Sequence, residues 1–211
     1  MTHLATVERQ LASTSYDALV ELFPVFAPES HWSRRTALTR YHYRYRSVGT
    51  PSERFYARTR WLAAINRVQP WIRFSPAYAR LGRRTAWPFD GDLTCYGGSF
   101  FTNLSRRALD TLVQFVDERP DVVTWARGVL APEEMFVQTV LANSPGLRLQ
   151  ADNRRYYDFA GSVGNHPRVL DLSDVATVVA GDAWFARKFT PDSPALDAID
   201  DHLDRGPLNV Q

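Results

Sequence analysis

The sequence predicts a mixed α/β fold, and three observations support this prediction. In the run RRTALTRYHYRYRSVG, Tyr41, Tyr43 and Tyr45 alternate with other residues, a period of two that is typical of an edge strand with a basic face. The run DLTCYGGSFF, residues 92–101, is typical of a strand that enters a glycine turn. Helical spacing of apolar residues follows in Arg106–Glu118 and again after Pro132.

The length and composition are those of one ordinary globular domain over residues 1–211. The chain has 211 residues, of which 45% are hydrophobic and 13% aromatic, enough for a real core. No apolar run reaches the roughly twenty residues that a membrane span requires, and no secretory leader is evident. Cys95 is the only cysteine, which excludes an internal disulfide. We therefore expect a cytoplasmic protein, either free or peripheral to a membrane.

The charge is distributed very unevenly along the chain. Residues 31–84 hold 13 arginines and one acid, Glu53, a local balance of +12, whereas the remainder carries −10. The basic segment either meets an anionic partner or is neutralised by the acidic remainder. Interleaved arginines and aromatic rings also hold single-stranded nucleic acids, but no recognition-module signature is present, so we expect no nucleic-acid partner.

Lysine is used once among the basic residues. Of 25 arginines and lysines, 24 are arginine and one is Lys188. Arginine and lysine are not equivalent at a phosphate or in a tight pocket, so Lys188 is a candidate for a specific role. The alternative is chance survival of one surface lysine.

Further elements are predicted in chain order. Apolar spacing predicts helices over Thr6–Ala12, Tyr16–Leu22, Glu53–Val68 and Leu196–Leu203. In Glu53–Val68 the apolar side holds Phe55, Trp61, Leu62 and Ile65. The tripeptide Asn103-Leu104-Ser105 offers an N-cap for Arg106–Glu118, whose predicted buried stripe is Leu109, Leu112, Val113 and Val116.

Two short motifs suggest chemistry but also have ordinary structural explanations. In APEEMFVQTVLANSP, residues 131–145, Pro132 and the acids Glu133 and Glu134 are typical of a helix start, because first-turn acids meet the positive end of the helix dipole. The functional alternative is that one carboxylate is a catalytic base. Gly97-Gly98-Ser99 allows backbone N–H groups to approach a ligand closely, and a tight turn is the alternative.

Three stretches, taken together, resemble a known enzyme family. They are GGSFFTNLSRRAL, APEEMFVQTVLANSP, and HPRVLDLSD with FARKFTPDSPALDAIDDHL. In order and approximate spacing they are similar to the C-terminal half of the core-2/I-branching beta-1,6-N-acetylglucosaminyltransferases, a family that also holds the peptide O-xylosyltransferases, in a bacterial-type form. The resemblance covers roughly Asp92–Leu203. It implies the C-terminal portion of a GT-A-like glycosyltransferase, with a mixed sheet flanked by helices.

The resemblance also implies roles for individual residues. Glu134 falls on the glutamate of the family's Pro-Asp-Glu motif, its catalytic base, and Glu133 replaces the aspartate. Lys188 falls on the lysine of Phe-Ala-x-Lys-Phe, and Arg168 matches a preceding arginine; in the family both contact the nucleotide diphosphate. Phe159 stands where the family tends to have an acceptor-stacking tryptophan. Ser99 and Phe101 fall on the glycine-serine turn, at the wall of the site. We expect Glu134, Arg168 and Lys188 to line one cleft.

The function implied is inverting transfer of a sugar, N-acetylglucosamine or xylose, from a UDP-sugar to a hydroxyl of a glycan or similar acceptor, without a metal or other cofactor. Residues 91–211 correspond to the catalytic half and 1–90 to a basic, aromatic-rich acceptor side. The family's N-terminal Rossmann-like, uridine-binding half has no counterpart in this sequence, so a partner chain could supply it. The alternative is an inactive truncated remnant, or a non-catalytic module that binds anionic glycan or nucleic acid through the arginine-rich segment.

Overall fold

The computed structural model describes residues 3–89, 93–161 and 166–205, which form two compact units. The larger unit is residues 16–151, and the smaller unit combines residues 3–15 with the chain after 151. Asp92, where the predicted strand 92–101 begins, lies outside the described residues. The predicted single domain over 1–211, with its regions 1–90 and 91–211, stays a prediction.

Helices and strands are interspersed along the chain, as expected for a mixed α/β fold. The helices are α1 His3–Ser13, α2 Arg34–Tyr41, α3 Glu53–Thr59, α4 Ile65–Val68, α5 Arg106–Glu118, α6 Pro120–Ala126, α7 Phe136–Ala142, α8 Val175–Ala180 and α9 Pro194–Arg205. The strands are β1 Ala18–Val20, β2 Phe23–Pro24, β3 Tyr43–Ser47, β4 Ile72–Ser75, β5 Arg80–Arg84, β6 Tyr96–Gly97, β7 Thr102–Leu104, β8 Leu149–Gln150, β9 Arg155–Tyr156 and β10 Phe185–Ala186. Short 3-10 turns occur at Arg60–Ala64, Pro76–Tyr78, Pro132–Glu134 and Leu172–Asp174.

A three-stranded mixed sheet lies at the centre of the larger unit. Strand β1 pairs antiparallel with β7 and parallel with β8, so that Ala18 is opposite both Leu104 and Leu149. Helices α5 and α7 pack against it through an apolar core that contains Ala18, Val20, Ala108, Leu112, Val140 and Leu141. The prediction of a mixed sheet flanked by helices is confirmed.

The helix predicted over Tyr16–Leu22 is wrong. Residues Ala18, Leu19 and Val20 are all buried in β1, which is bonded on both sides. A short apolar run carries no periodicity that separates a buried strand from a buried helix, and here burial between two partner strands decides. The helices predicted over Thr6–Ala12 and Leu196–Leu203 are confirmed by α1 and α9.

The arginine-rich segment forms the second sheet, in the order β3-β5-β4. Tyr43 and Tyr45 share its buried face while Arg44 and Arg46 are exposed, and β3 is an edge strand as predicted. Tyr41 belongs instead to α2. Gly82 on β5 is required by close approach, because a Cβ there would lie 2.7 Å from the Tyr45 ring.

Two helical faces that the apolar spacing predicts to be buried are largely exposed. On α5 the Ser105 hydroxyl caps the helix as predicted, accepting from the Ala108 N–H, but the buried positions are Ala108 and Leu112. The other three residues of the predicted stripe are exposed: Leu109, Val113 and Val116. In Glu53–Val68 the chain is helical in three pieces, and the predicted apolar side is exposed at Trp61, Leu62 and Ile65.

In the smaller unit α8 and α9 pack against each other and against the 3-10 turn Leu172–Asp174, and β9 and β10 form a parallel pair. The His3 ring on α1 bonds to the Trp184 carbonyl oxygen at 2.7 Å and meets the Phe185 ring edge-on. No helix among residues 3–89, 93–161 and 166–205 has both the length and the apolar character that a membrane crossing requires.

Candidate functional site

Glu134 is the last residue of the 3-10 turn Pro132–Glu134. Ala131 enters the turn in the left-handed region with φ 50°, a conformation that costs a non-glycine residue free energy. Met135 follows and is fully buried, which anchors the turn against the core. The Glu133 side chain is exposed, whereas 35% of the Glu134 side chain is accessible. Glu134 is therefore partly shielded from solvent, whereas Glu133 is not.

A cation and an aromatic ring accompany the Glu134 carboxylate. Arg40, on α2, donates from Nη1 to Glu134 Oε2. The Arg40 guanidinium lies 4.4 Å from the centroid of the Trp32 ring, and 19% of its side chain is exposed. Neither residue is predicted from the sequence, although neutralisation of the basic segment by acids of the remainder is one of the two outcomes that the charge pattern leaves open.

The glycine pair lies directly against the Glu134 turn. The Gly98 N–H donates to the Glu134 carbonyl oxygen at 2.9 Å. A Cβ on Gly98 would lie 1.9 Å from the Glu21 carbonyl oxygen, and one on Gly97 would lie 2.5 Å from the Trp32 ring. Both positions therefore need glycine because other groups approach too closely for a side chain.

Ser99 and Phe101 occupy the same region of the larger unit. Gln138, completely buried on α7, donates to the Ser99 carbonyl oxygen at 2.6 Å. The Ser99 hydroxyl accepts from the Phe101 N–H at 3.3 Å, so it stabilises the local backbone. Phe100 is 61% exposed and meets Phe101 edge-on, which makes Phe100 the more accessible ring. Phe100 is not among the site residues predicted from the sequence, because the family motif aligns with Phe101.

In the smaller unit, Arg168 is held between two carboxylates. Its Nε donates to Asp158 Oδ2 at 2.6 Å, and its Nη1 and Nη2 donate to the two oxygens of Asp174. Hydrogen bonds from Arg168 hold the pKa of Asp174 below its usual range; for Asp158 the Ala160 N–H and then Arg168 have the same effect. The positive charge of Arg168 is thus compensated, and a diphosphate must compete with both carboxylates for it.

Lys188 and Phe159 lie on segments that adjoin Arg168. The Leu170 N–H donates to the Lys188 carbonyl oxygen at 2.7 Å, and the Arg168 N–H donates to the Asp158 carbonyl oxygen at 2.8 Å. The Lys188 side chain is exposed, and no residue of the described ranges forms an ion pair or hydrogen bond with its ammonium. Phe159 is 51% exposed and meets Tyr157 edge-on.

The candidate residues thus fall into two groups. Glu134, Ser99 and Phe101 are in the larger unit; Arg168, Lys188 and Phe159 are in the smaller unit. That the two groups line one cleft stays a prediction, as do their individual roles. In the part of the chain that the structure describes, no group of three or more His, Cys, Asp or Glu side chains is arranged to hold a metal ion.

Sequence comparison relates the chain to glycosyltransferases. It is 34% identical to beta-glucuronosyltransferase GlcAT14A of Arabidopsis thaliana over 116 residues, which are 53% of this chain and 26% of that protein. It is 32% identical to beta-glucuronosyltransferase GlcAT14B of the same plant over 112 residues, 51% of this chain and 26% of that protein. No family model matches.

The chain therefore spans about a quarter of the length of these curated relatives. The similarity, with the mixed α/β fold, supports a relationship to glycosyltransferases in general. It does not single out the core-2/I-branching family or a particular donor sugar.

Proposed function

We propose that the chain acts in an inverting glycosyl transfer from a UDP-sugar to a hydroxyl of a glycan or similar acceptor, with Glu134 as the catalytic base. The observation that carries the proposal is the setting of Glu134: a half-buried carboxylate on a strained turn, bonded to Arg40 and supported by Gly98. The similarity to two plant beta-glucuronosyltransferases supports the reaction class.

The proposed reaction uses one base, Glu134, and one leaving group, UDP. The acceptor oxygen attacks the anomeric carbon of the donor, and its proton passes to Glu134 as the new C–O bond forms. The bond from that carbon to the diphosphate breaks on the opposite face, and UDP leaves with the electron pair. Arg40 binds Oε2 of Glu134, so we propose that Oε1 receives the proton.

The leaving diphosphate needs positive charge, and we propose Lys188 as its main source in this chain. Fixed cations that face the developing charge stabilise the transition state more than the ground state. Lys188 is exposed, whereas the charge of Arg168 is compensated by Asp158 and Asp174. In this proposal Arg168 contributes less positive charge to the leaving diphosphate than Lys188 does. No metal or other cofactor takes part.

The donor sugar is the part of the proposal that experiment has to select. The core-2/I-branching resemblance indicates N-acetylglucosamine or xylose, whereas the names of the two plant relatives indicate glucuronic acid. UDP release should therefore be measured with UDP-N-acetylglucosamine, UDP-xylose and UDP-glucuronic acid, each with a panel of glycan acceptors.

The role of Glu134 as the base is tested by comparing the turnover of two variants, Glu134→Gln and Glu133→Gln. Loss of a general base lowers turnover by roughly 10²–10⁴-fold, so we expect this loss for Glu134→Gln. Glu133→Gln removes the same charge from the neighbouring exposed position and should change turnover less than about twofold. Activity that survives Glu134→Gln contradicts the assigned base.

The non-catalytic alternative predicts different results in assays of UDP release and of ligand binding. If no donor yields UDP and the chain binds anionic glycans or oligonucleotides in a strongly salt-dependent way, the arginine-rich segment is a binding surface and the transferase proposal fails.

A further inference from the structure

The segment 53–72 turns its apolar side chains toward solvent. Trp61, Val68 and Trp71 are 69%, 81% and 66% exposed, and Leu62, Ile65 and Ile72 are also exposed. We call these six residues the tryptophan surface. They come from one continuous stretch: the 3-10 turn Arg60–Ala64, α4, the link that contains Trp71, and the first residue of β4. Exposed apolar residues that cluster in this way mark an interaction site more often than isolated ones do.

The orientation of this segment follows from the hydrogen bonds that its inward-facing side chains form. The half-buried positions recur at helical spacing: Phe55, Thr59, Ala63, Asn66 and Gln69. Asn66 donates to the Phe74 carbonyl oxygen and accepts from the Phe74 N–H, both at 2.8 Å. Gln69 does the same for Ile72, at 2.7 and 2.8 Å. These two amides close the open edge of β4, and the apolar residues therefore face outward.

Exposed arginines are interleaved with the tryptophan surface along the same segment. Arg54, Arg58, Arg60 and Arg67 are all exposed, and Glu53 is the only acid between residues 31 and 84. The Trp61 indole N–H donates to the Arg58 carbonyl oxygen at 2.8 Å, which fixes the ring beside that arginine. The segment therefore exposes apolar side chains and positive charge together.

We propose that the tryptophan surface docks the protein on an anionic lipid bilayer. Tryptophan favours the membrane–water interface, and an amphipathic segment with basic flanks lies in that interface with its apolar side in the acyl boundary. The exposed aliphatic residues Leu62, Ile65 and Val68 distinguish this partner from single-stranded nucleic acid, since bases stack on aromatic rings and gain nothing from aliphatic ones. The interleaved arginines meet the lipid phosphates.

Vesicle binding of the 211-residue chain tests the proposal. We expect co-sedimentation with vesicles of phosphatidylcholine and phosphatidylserine at 0.15 M salt and little with phosphatidylcholine alone. The variant W61S/V68S should bind at least about tenfold more weakly, because its apolar anchor is lost. The variant R58Q/R67Q should lose about 25-fold, at about fivefold per arginine near an anionic surface.

Two matched controls separate docking from loss of folding or of bulk charge. V113S removes another exposed apolar residue, on α5, and R106Q/R148Q removes two exposed arginines elsewhere in the larger unit. Each should leave vesicle binding within about twofold, because exposed charges act over about 8 Å at this salt. Circular dichroism should show unchanged folding in all four variants.

Four results overturn the proposal: absence of binding to anionic vesicles, binding that W61S/V68S leaves unchanged, tighter binding to a single-stranded oligonucleotide than to vesicles, or self-association that W61S/V68S abolishes. The last would assign the surface to a second copy of the chain. None of these results bears on UDP release, so this inference and the proposed function can fail separately.

Discussion

Two regions of the larger unit use polar and apolar residues in opposite ways. Around the Glu134 turn, apolar residues such as Met135 are fully buried and the carboxylate stays partly accessible to solvent. In the segment 53–72, polar Asn66 and Gln69 point inward and Trp61 and Val68 point outward. The first arrangement is the ordinary result of core formation, and the second is not.

The two regions differ because a different interaction determines the conformation of each. The Glu134 turn lies on a packed core, so apolar burial and close backbone approach at Gly98 determine its shape. The segment 53–72 lies beside the open edge of β4, whose N–H and C=O groups need partners more than they need apolar cover. Hydrogen bonding therefore decides which side of this segment faces inward.

The largest expected effect concerns Cys95, which lies in the core next to Met135. Burial raises the pKa of its thiol to about 12, although a hydrogen bond with Thr139 acts in the opposite direction. The thiolate is the reactive form, so alkylation of the folded protein at pH 8 should be slower by about a thousandfold than after unfolding in guanidinium. Rates with iodoacetamide measure this ratio. A folded-state rate near that of the unfolded chain would mean that this region opens readily.

Gly98→Ala should be the most damaging single substitution near Glu134. The added Cβ would lie 1.9 Å from the Glu21 carbonyl oxygen, which is backbone and has little freedom to move. We expect a loss of about 3 kcal/mol in the free energy of unfolding, measured by urea denaturation, with reduced activity. Gly181→Ala is the control: its new Cβ meets nothing closer than 3.4 Å, and stability should change by less than about 0.5 kcal/mol. Equal effects of the two substitutions would contradict the close approach at Gly98.

Part of the region around Glu134 could be predicted from the sequence. Ser105 caps α5 as expected. Gly97 lies in β6 rather than in a tight turn, and Glu133 and Glu134 lie in a separate 3-10 turn, because α7 begins only at Phe136. Arg40 could not be predicted as the partner of Glu134, because 94 residues separate them and 13 arginines in residues 31–84 carry the same local signal. Pairings at long range depend on the fold.

Apolar spacing was a poor guide to which face is buried. On α5 the buried positions are Ala108 and Leu112, so Leu112 alone of the predicted stripe faces the core that β1 shares. In residues 53–68 the spacing located the helical segment correctly but assigned its apolar side to the interior. The sequence contains no local sign that β4 has an open edge, and that edge decides the orientation.

Asn66 provides the smallest and most discriminating test of this comparison. Asn66→Ala removes both hydrogen bonds to Phe74, whose side chain is buried, and should cost about 2 kcal/mol in the free energy of unfolding. Trp61→Ser, which alters a far larger but exposed side chain, should cost less than about 0.5 kcal/mol. Urea denaturation measures both.

Asn66→Asp refines the same test, because it keeps the acceptor for the Phe74 N–H and loses the donor to the Phe74 carbonyl oxygen. Its cost should fall between those of Trp61→Ser and Asn66→Ala. The reverse order, with Trp61→Ser the most destabilising of the three, would show that the exposed apolar residues hold this segment in place and that the amides contribute little. In that case the tryptophan surface would be part of the folded core of the larger unit, and hydrogen bonding at the β4 edge would not explain its orientation.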